Sequence, residues 1–434
     1  MLKRMELINY KSFKNVTIDF SDTKTKTKNI AIIYGENGSG KSNIISALYF
    51  LKNSINTLSF QKAFNELLQK QSGIDLNAFT QKYRYGHAIL KDEIKEYKML
   101  NTNDNMIIKY YFLINGKDAY YKMEFDNENI VTEELSYVLD KNISSYFNIS
   151  SKEKYLNKSI FNDSKFKKEL EENIDRYFGK HTFLSILKNE YENVNASYLN
   201  EKISNNMIDI FNEIRKIDVW QKSPDTEEGC VNSSDNLLRD LRRGSVPKSN
   251  AYKIEMTKNA LNAYFTSLYS DIKEVYYTIN PQDDKLNYML HFKKMIGSKM
   301  IEVPYYLEST GTIKLLDIFP YLLSFYYGDT VFIDEIDSGV HDLLMAEIIS
   351  NLALKAKGQL VITTHNTLLM TKVKASSLYI IEIDAEGNKK VSPITDKDRI
   401  QKNNNVAKGY LNGNYGGVPS IGYLDFDEIL NYLS

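Results

Sequence analysis

The apolar run Ile30–Tyr34 (IAIIY) leads directly into Gly35-Glu36-Asn37-Gly38-Ser39-Gly40-Lys41-Ser42, and this junction constrains the chain more than any other feature. An unbroken apolar run fits a strand covered on both faces, as in the middle of a parallel sheet. The glycines let the next loop wrap with its backbone N–H groups pointing inward, a cradle for phosphate oxygens. Ile44, Ile45, Leu48 and Leu51 then recur at helical spacing, so the loop opens a helix whose start adds positive dipole. The whole fits G-x-x-x-x-G-K-[ST] in its strand–loop–helix context. It predicts that Gly35–Asn43 (Gly35, Glu36, Asn37, Gly38, Ser39, Gly40, Lys41, Ser42, Asn43) cradle the phosphates of ATP. Lys41 would reach the β- and γ-phosphates and the Ser42 hydroxyl would ligate Mg²⁺. Gly179-Lys180-His181-Thr182 lacks the first glycine and the preceding strand and is set aside.

A phosphate cradle needs a carboxylate for its metal. Thr330–Glu335 (TVFIDE) is an apolar, β-branched strand ending in two acids. Asp334 would complete the Mg²⁺ shell, and Glu335 would take a proton from the attacking water. Leu360–Thr364 is a second apolar strand, and it ends at His365, placed to contact the γ-phosphate. Leu307–Thr312 (LESTGT) opens a helix; Ser309, Gly311 and Thr312 offer hydroxyls and free N–H groups there, another anion site. Asp337-Ser338-Gly339 follows the acids directly, where a second subunit could approach.

Composition sets the frame. The 434 residues suggest about two to three structural units. A hydrophobic share of 42% excludes wholesale disorder. Lys and Arg number 55 against 56 Asp and Glu, which excludes a wholly basic nucleic-acid binder. The single cysteine, Cys230, can form no internal disulfide, and five histidines argue against a metal-rich site. No apolar run approaches membrane-spanning length and the N-terminus has no signal-peptide core, so a cytoplasmic protein with no membrane partner is expected.

Along the chain, Val16, Ile18 and Phe20 alternate as a strand, and 56–100 is polar and helical. Residues 106–137 read as three strands, the first two joined at Asn115-Gly116, a hairpin signal. Residues 151–222 carry apolar residues at helical spacing, interrupted at Gly179, and 223–250 is linker-like, rich in Pro, Gly, Ser and charge. A helix over 251–273, strands near 274–280, 286–293 and 299–304, helices over 312–327 and 340–357, and strands over 330–334, 359–364 and 378–383 follow, with Gly358 as a helix C-cap. The expected organisation is a discontinuous α/β domain of lobes 1–55 and 290–434. It encloses an antiparallel subdomain with flanking helices (56–150) and a mainly helical insertion (151–289).

The order of these motifs resembles the ABC-type ATPase heads of the SMC, Rad50 and RecF group. GENGSGKSN (Gly35–Asn43) is close to that group's P-loop, and ESTGT (Glu308–Thr312) looks like its signature motif, although LSGGQ is absent. MELINYKSFKN (Met5–Asn15) looks like its first strand and adenine-side turn. The resemblance makes Asp337 a D-loop residue and His365 the switch histidine; the Q-loop glutamine is placed no better than at Gln81. It implies an ABC-type head of mixed sheet plus antiparallel subdomain. Two copies would pair head to tail, a homodimer or higher even oligomer, with Ser309, Gly311 and Thr312 of one copy capping the ATP of the other.

More narrowly, the chain resembles the compact ATPases of bacterial phage-defence and abortive-infection systems, relatives of the OLD family and of the RloA, AbiL and PARIS ATPase subunits. VTEELSY (Val131–Tyr137), HTFLSIL (His181–Leu187), TTHNTLL (Thr363–Leu369) and GYLNGNYGGVPSI (Gly409–Ile421) carry that likeness. The Arg-Asp-Gln run that such proteins carry before the last strand is replaced here by ASSLYI (Ala375–Ile380). The middle of the chain has no room for long heptad arms, and too little follows His365 for the nuclease of the OLD family. The implied effector, a nuclease or toxin from the same operon, is therefore a separate chain. A RecF-type ATPase acting on DNA is the second reading, with DNA then the partner.

Overall fold

A computed structural model describes residues 1–70, 89–139, 142–192, 201–222, 227–231, 236–398, 400, 405–419 and 424–433. Two seven-stranded sheets enclose the helix Lys41–Ser54. The first sheet is antiparallel, in the order 154–156, 143–150, 130–138, 117–125, 106–114, 2–10, 13–19. Alternate residues of Met106–Ile114 are buried, as the period of two requires of a sheet with one face on the core. Asn115 (φ 50°) and Gly116 (φ 74°) both take the left-handed conformation of a two-residue hairpin turn.

The second sheet runs 227–230, 217–222, 330–333, 359–363, 30–34, 378–383, 389–393, with five parallel strands inside and antiparallel strands at both edges. The interior strand Ile30–Tyr34 shows why IAIIY has no polar residue. Ala31 and Ile33 enter one core with Ile44, Leu48 and Leu51 of the P-loop helix. Ile30, Ile32 and Tyr34 enter a second core, shared with the helices Ala251–Leu268, Thr310–Tyr327 and Asp342–Ala353. Parallel strands end on the same edge, so Gly35, Asp334 and the turn to His365 emerge together, as ligand-binding loops do in open α/β sheets.

Three local expectations are corrected. Ile217–Lys222 lies in the stretch read as helical, yet it is a strand of the parallel sheet, paired with Thr330–Ile333. Ile217 and Val219 enter the first core while Trp220 enters the second. So short a strand is swamped by the flanking helices Ser164–Tyr177, Phe183–Glu192 and Asn205–Arg215. The linker-like stretch 223–250 contains two edge strands, Glu227–Cys230 and Arg243–Pro247, the second with Arg243, Gly244, Ser245 and Pro247 exposed as suits a sheet margin. Gly358 caps no helix, because the preceding one ends at Ala353. A Cβ there would stand 2.2 Å from Asp329 O and 2.6 Å from Phe325 O, so glycine is required by close backbone approach. No described helix is long and apolar enough to cross a membrane.

Candidate nucleotide site

The loop after Ile30–Tyr34 folds as a cradle. Gly40 has φ 101°, and a Cβ on it would meet the Phe13 ring at 2.9 Å, so the position admits only glycine. Lys41 is 7% exposed and donates from Nζ to Gly35 O (2.9 Å) and Glu36 O (3.1 Å), which holds the ammonium over the loop. Burial lowers its pKa, opposed by the charges of Asp334, Glu335, Asp337 and Glu36. A cavity of about 720 Å³ opens here, lined by Asn37, Gly38 and Gly40–Asn43 on one side and by Glu335 and His365 on another.

The site suits a triphosphate. The helix Lys41–Ser54 starts at Gly40 with no side-chain cap, which leaves its first N–H groups to an anion. The buried Ser39 Oγ in the same loop has no hydrogen-bond partner. The Lys41 ammonium, the Ser42 hydroxyl and the loop amides face one space, with Glu335 on another wall.

The two acids are set from the next strand. Thr363 Oγ1 donates to Asp334 Oδ1 (2.5 Å) and accepts the Glu335 N–H (2.8 Å). Ser42 also hydrogen-bonds Asp334, whose pKa burial raises and these bonds lower. Ser42 and Asp334 thus present hard oxygens side by side, the donor type that Mg²⁺ takes. Bound there, Mg²⁺ would neutralise charge on the phosphate oxygens. Glu335 adopts φ 43°, a left-handed conformation uncommon outside glycine and the kind of local strain found at functional sites. His365 stands at the cavity wall with its residue exposed; the partial shielding of its ring from water and the Lys41 charge lower its pKa, against Asp337 and Glu335.

The helix start at Ser309 is built differently. Ser309 Oγ accepts the Thr312 N–H (3.1 Å) and lies 2.8 Å from Thr312 Oγ1. A Cβ on Gly311 would stand 2.4 Å from Gly339 O, so this helix start is pressed against the Asp337–Gly339 turn. Ser309, Gly311 and Thr312 are absent from the residues lining the P-loop cavity. The structure therefore brings together Lys41, Ser42, Asp334, Glu335 and His365, with Asp337 close enough to act on Lys41 and Tyr34 electrostatically, and leaves Ser309 exposed outside the cavity with Gly311 and Thr312 buried beside it.

Several participants escaped the sequence reading. Thr363 carried only its place in a strand end. Lys11, Ser12, Glu96, Lys98, Met99 and Leu100 form the remaining wall of the cavity. The 96–100 segment is brought there by Lys11 N–H donating to Tyr97 O (2.7 Å) and Met99 N–H to Asn9 O (2.8 Å), long-range contacts that no local pattern encodes. Lys389 Nζ donates to Gly38 O (2.8 Å) and Ser12 Oγ (2.7 Å), so the last edge strand also fixes the loop. The Gly-rich tail packs behind it: a Cβ on Gly417 (φ 69°) would stand 3.6 Å from Gly35 Cα, and Tyr410 OH donates to Gly417 O (2.9 Å). Gln81 lies outside the described residues.

The family described as "AAA domain, putative AbiEii toxin, Type IV TA system" matches residues 30–371, from the P-loop strand to beyond His365. The chain belongs to this AAA family. The chain is 42% identical over 48 residues to the DNA replication and repair protein RecF of Carboxydothermus hydrogenoformans; the match spans 11% of this chain and 12% of that protein. Among solved structures it is similar to an SMC head bound to the C-winged helix domain of ScpA (16% identity, TM-score 0.42, 90% of this chain and 96% of that one). It is also similar to the SMC head domain from Thermotoga maritima (14% identity, TM-score 0.36, 90% and 98% covered).

Proposed function

We propose that this chain is an ATP-hydrolysing ABC-type ATPase that assembles through ATP held between two copies. In this reading it is the sensor or regulatory subunit of an anti-phage system and controls a separate effector, a nuclease or toxin, in the cytoplasm. The observation that carries the shared site is the separation of Ser309, Gly311 and Thr312 from the cavity that holds Lys41, Glu335 and His365. A second copy's helix start supplies the exposed Ser309 hydroxyl and the N–H groups ahead of Thr312, whose own N–H is capped by Ser309 Oγ, to a γ-phosphate in the cavity. Within one copy, Lys41 neutralises phosphate charge and Glu335 accepts the proton of the attacking water. His365 marks the γ-phosphate position. ATP that binds the paired form more tightly than the single chain shifts assembly by mass action, so hydrolysis releases the pair.

The test is to express the chain with its flanking genes, challenge the cells with phage, and purify what travels with it. Protection lost in Glu335→Gln, together with a co-purifying effector, supports the reading. Protection unchanged by both Glu335→Gln and Lys41→Ala sinks it. The RecF match supports a second reading, an ATPase acting on DNA. Duplex binding that weakens steeply with salt, together with DNA-stimulated hydrolysis, favours that one.

A further inference from the structure

A groove of about 240 Å³ lies at the far end of the P-loop helix from Lys41. Ile55, Ile208 and Phe211 form its apolar floor, and Lys52, Lys188 and Arg215 stand at its margin, Lys52 bonded to Arg215 O and Lys188 to Asn56 Oδ1, with Asp329 the acid that faces Lys52 and Arg215. The segment Leu424–Leu433 has the opposite character. Asp425 caps the short helix Phe426–Asn431, Asp427 and Glu428 follow, and no cation lies among these residues. Leu424, Phe426, Ile429 and Leu430 are exposed, Phe426 at 67%. An acidic segment with uncovered apolar side chains matches an apolar groove with a basic margin in both charge and hydrophobicity.

The segment cannot fill the groove of its own chain. The tail before it is anchored in the second core by Tyr410 and Tyr415, whereas Ile55 belongs to the first core, on the other face of the parallel sheet. The tail packs at Ile380–Glu382, while Arg215 leads into Ile217–Lys222, with three strands between. That sideways step is about 19 Å, and a packed layer adds about 10 Å across the sheet. The 14-residue helix Lys41–Ser54 sets the groove about 21 Å away along the strands, which makes a straight line of about 30 Å before any detour round the sheet. The chain from Val418 to Phe426, fully extended, spans at most about 28 Å.

We infer that Leu424–Leu433 of one copy docks in the Lys52–Arg215 groove of a second copy. This contact needs no nucleotide. It lies apart from the Ser309 surface, so the two contacts together build even-numbered assemblies larger than a dimer. Because Lys52 stands in the last turn of the helix that Lys41 opens, the docked segment touches the element that bears the phosphate cradle.

Sedimentation of the full chain without nucleotide, over a concentration series, tests the inference. Concentration-dependent association is expected. Phe426→Asp and Arg215→Glu should each weaken it by about tenfold or more. Phe426 is exposed, so its variant leaves the core intact, and calorimetric ATP binding checks the fold of both. A chain carrying Asp427→Lys and Glu428→Lys, mixed with one carrying Lys52→Glu and Arg215→Glu, should recover association that neither shows alone. A chain that stays monomeric at every concentration overturns the inference. So does association insensitive to either Phe426→Asp or Arg215→Glu, or a cross-link from the tail to the groove found only within one chain.

Discussion

The Thr363 hydroxyl stands 2.5 Å from Asp334 Oδ1 and donates to it, and the same oxygen accepts the Glu335 N–H at 2.8 Å. One side chain on the neighbouring strand thus fixes both acids. Thr363→Val keeps the shape but removes the donor, leaving the buried Asp334 short of a partner at a cost of about 1–3 kcal/mol. The expected outcome is kcat reduced about tenfold or more with a smaller change in ATP affinity, and recovery in Thr363→Ser. A valine variant that turns over like wild type would remove Thr363 from the account.

Glu335→Gln retains size but cannot accept the proton of water. It should bind ATP normally, release phosphate at a rate lowered by about a hundredfold or more, and accumulate the ATP-bound assembly. Phosphate release at the wild-type rate contradicts the assignment of Glu335.

Lys41 Nζ bonds the loop carbonyls of Gly35 and Glu36 and is positioned to exchange them for phosphate oxygens. Charge-assisted hydrogen bonds contribute about 1.5–3 kcal/mol each, so Lys41→Ala should weaken ATP binding by about tenfold or more. Calorimetry showing unchanged affinity refutes the cradle.

His181 predicts how stability depends on pH. Its ring nitrogens lie 2.9 Å from Thr57 Oγ1 and 3.0 Å from Gln61 Oε1, and burial, with Lys180 and Lys62 nearby, lowers its pKa to about 4. The unfolded chain binds the proton more tightly, so this contribution is complete above about pH 6.5 and is lost as pH falls toward 4, by about 3 kcal/mol. Denaturant titrations should show that slope in wild type and a flatter one in His181→Phe. Equal slopes in the two proteins contradict it.

Much of the site was legible because it is local. The cradle, Asp334 and Glu335 each sit where a short apolar strand stops, and strand and loop are contiguous in sequence. The hairpin at Asn115-Gly116 was legible for the same reason. Ile217–Lys222 was not, since its partner Thr330–Ile333 is distant in sequence and its neighbours are helices. Nor were Lys389, Met99 or Thr363, whose roles arise only when separate strands and loops meet at one edge. The role of Gly358 needed the positions of Asp329 O and Phe325 O, which no glycine rule supplies.

The central claim is that Ser309 serves the nucleotide of another copy. Ser309→Arg places a bulky cation at a helix start outside the P-loop cavity, so each chain should still bind ATP while hydrolysis is lost. Lys41→Ala damages the cradle instead. Once a pull-down with two different tags shows that the variants form mixed assemblies, one of the two shared sites contains only intact halves. The decisive measurement is phosphate release by that mixture: activity that neither variant shows alone is the expected result, and a mixture as inactive as its components contradicts a site shared between copies.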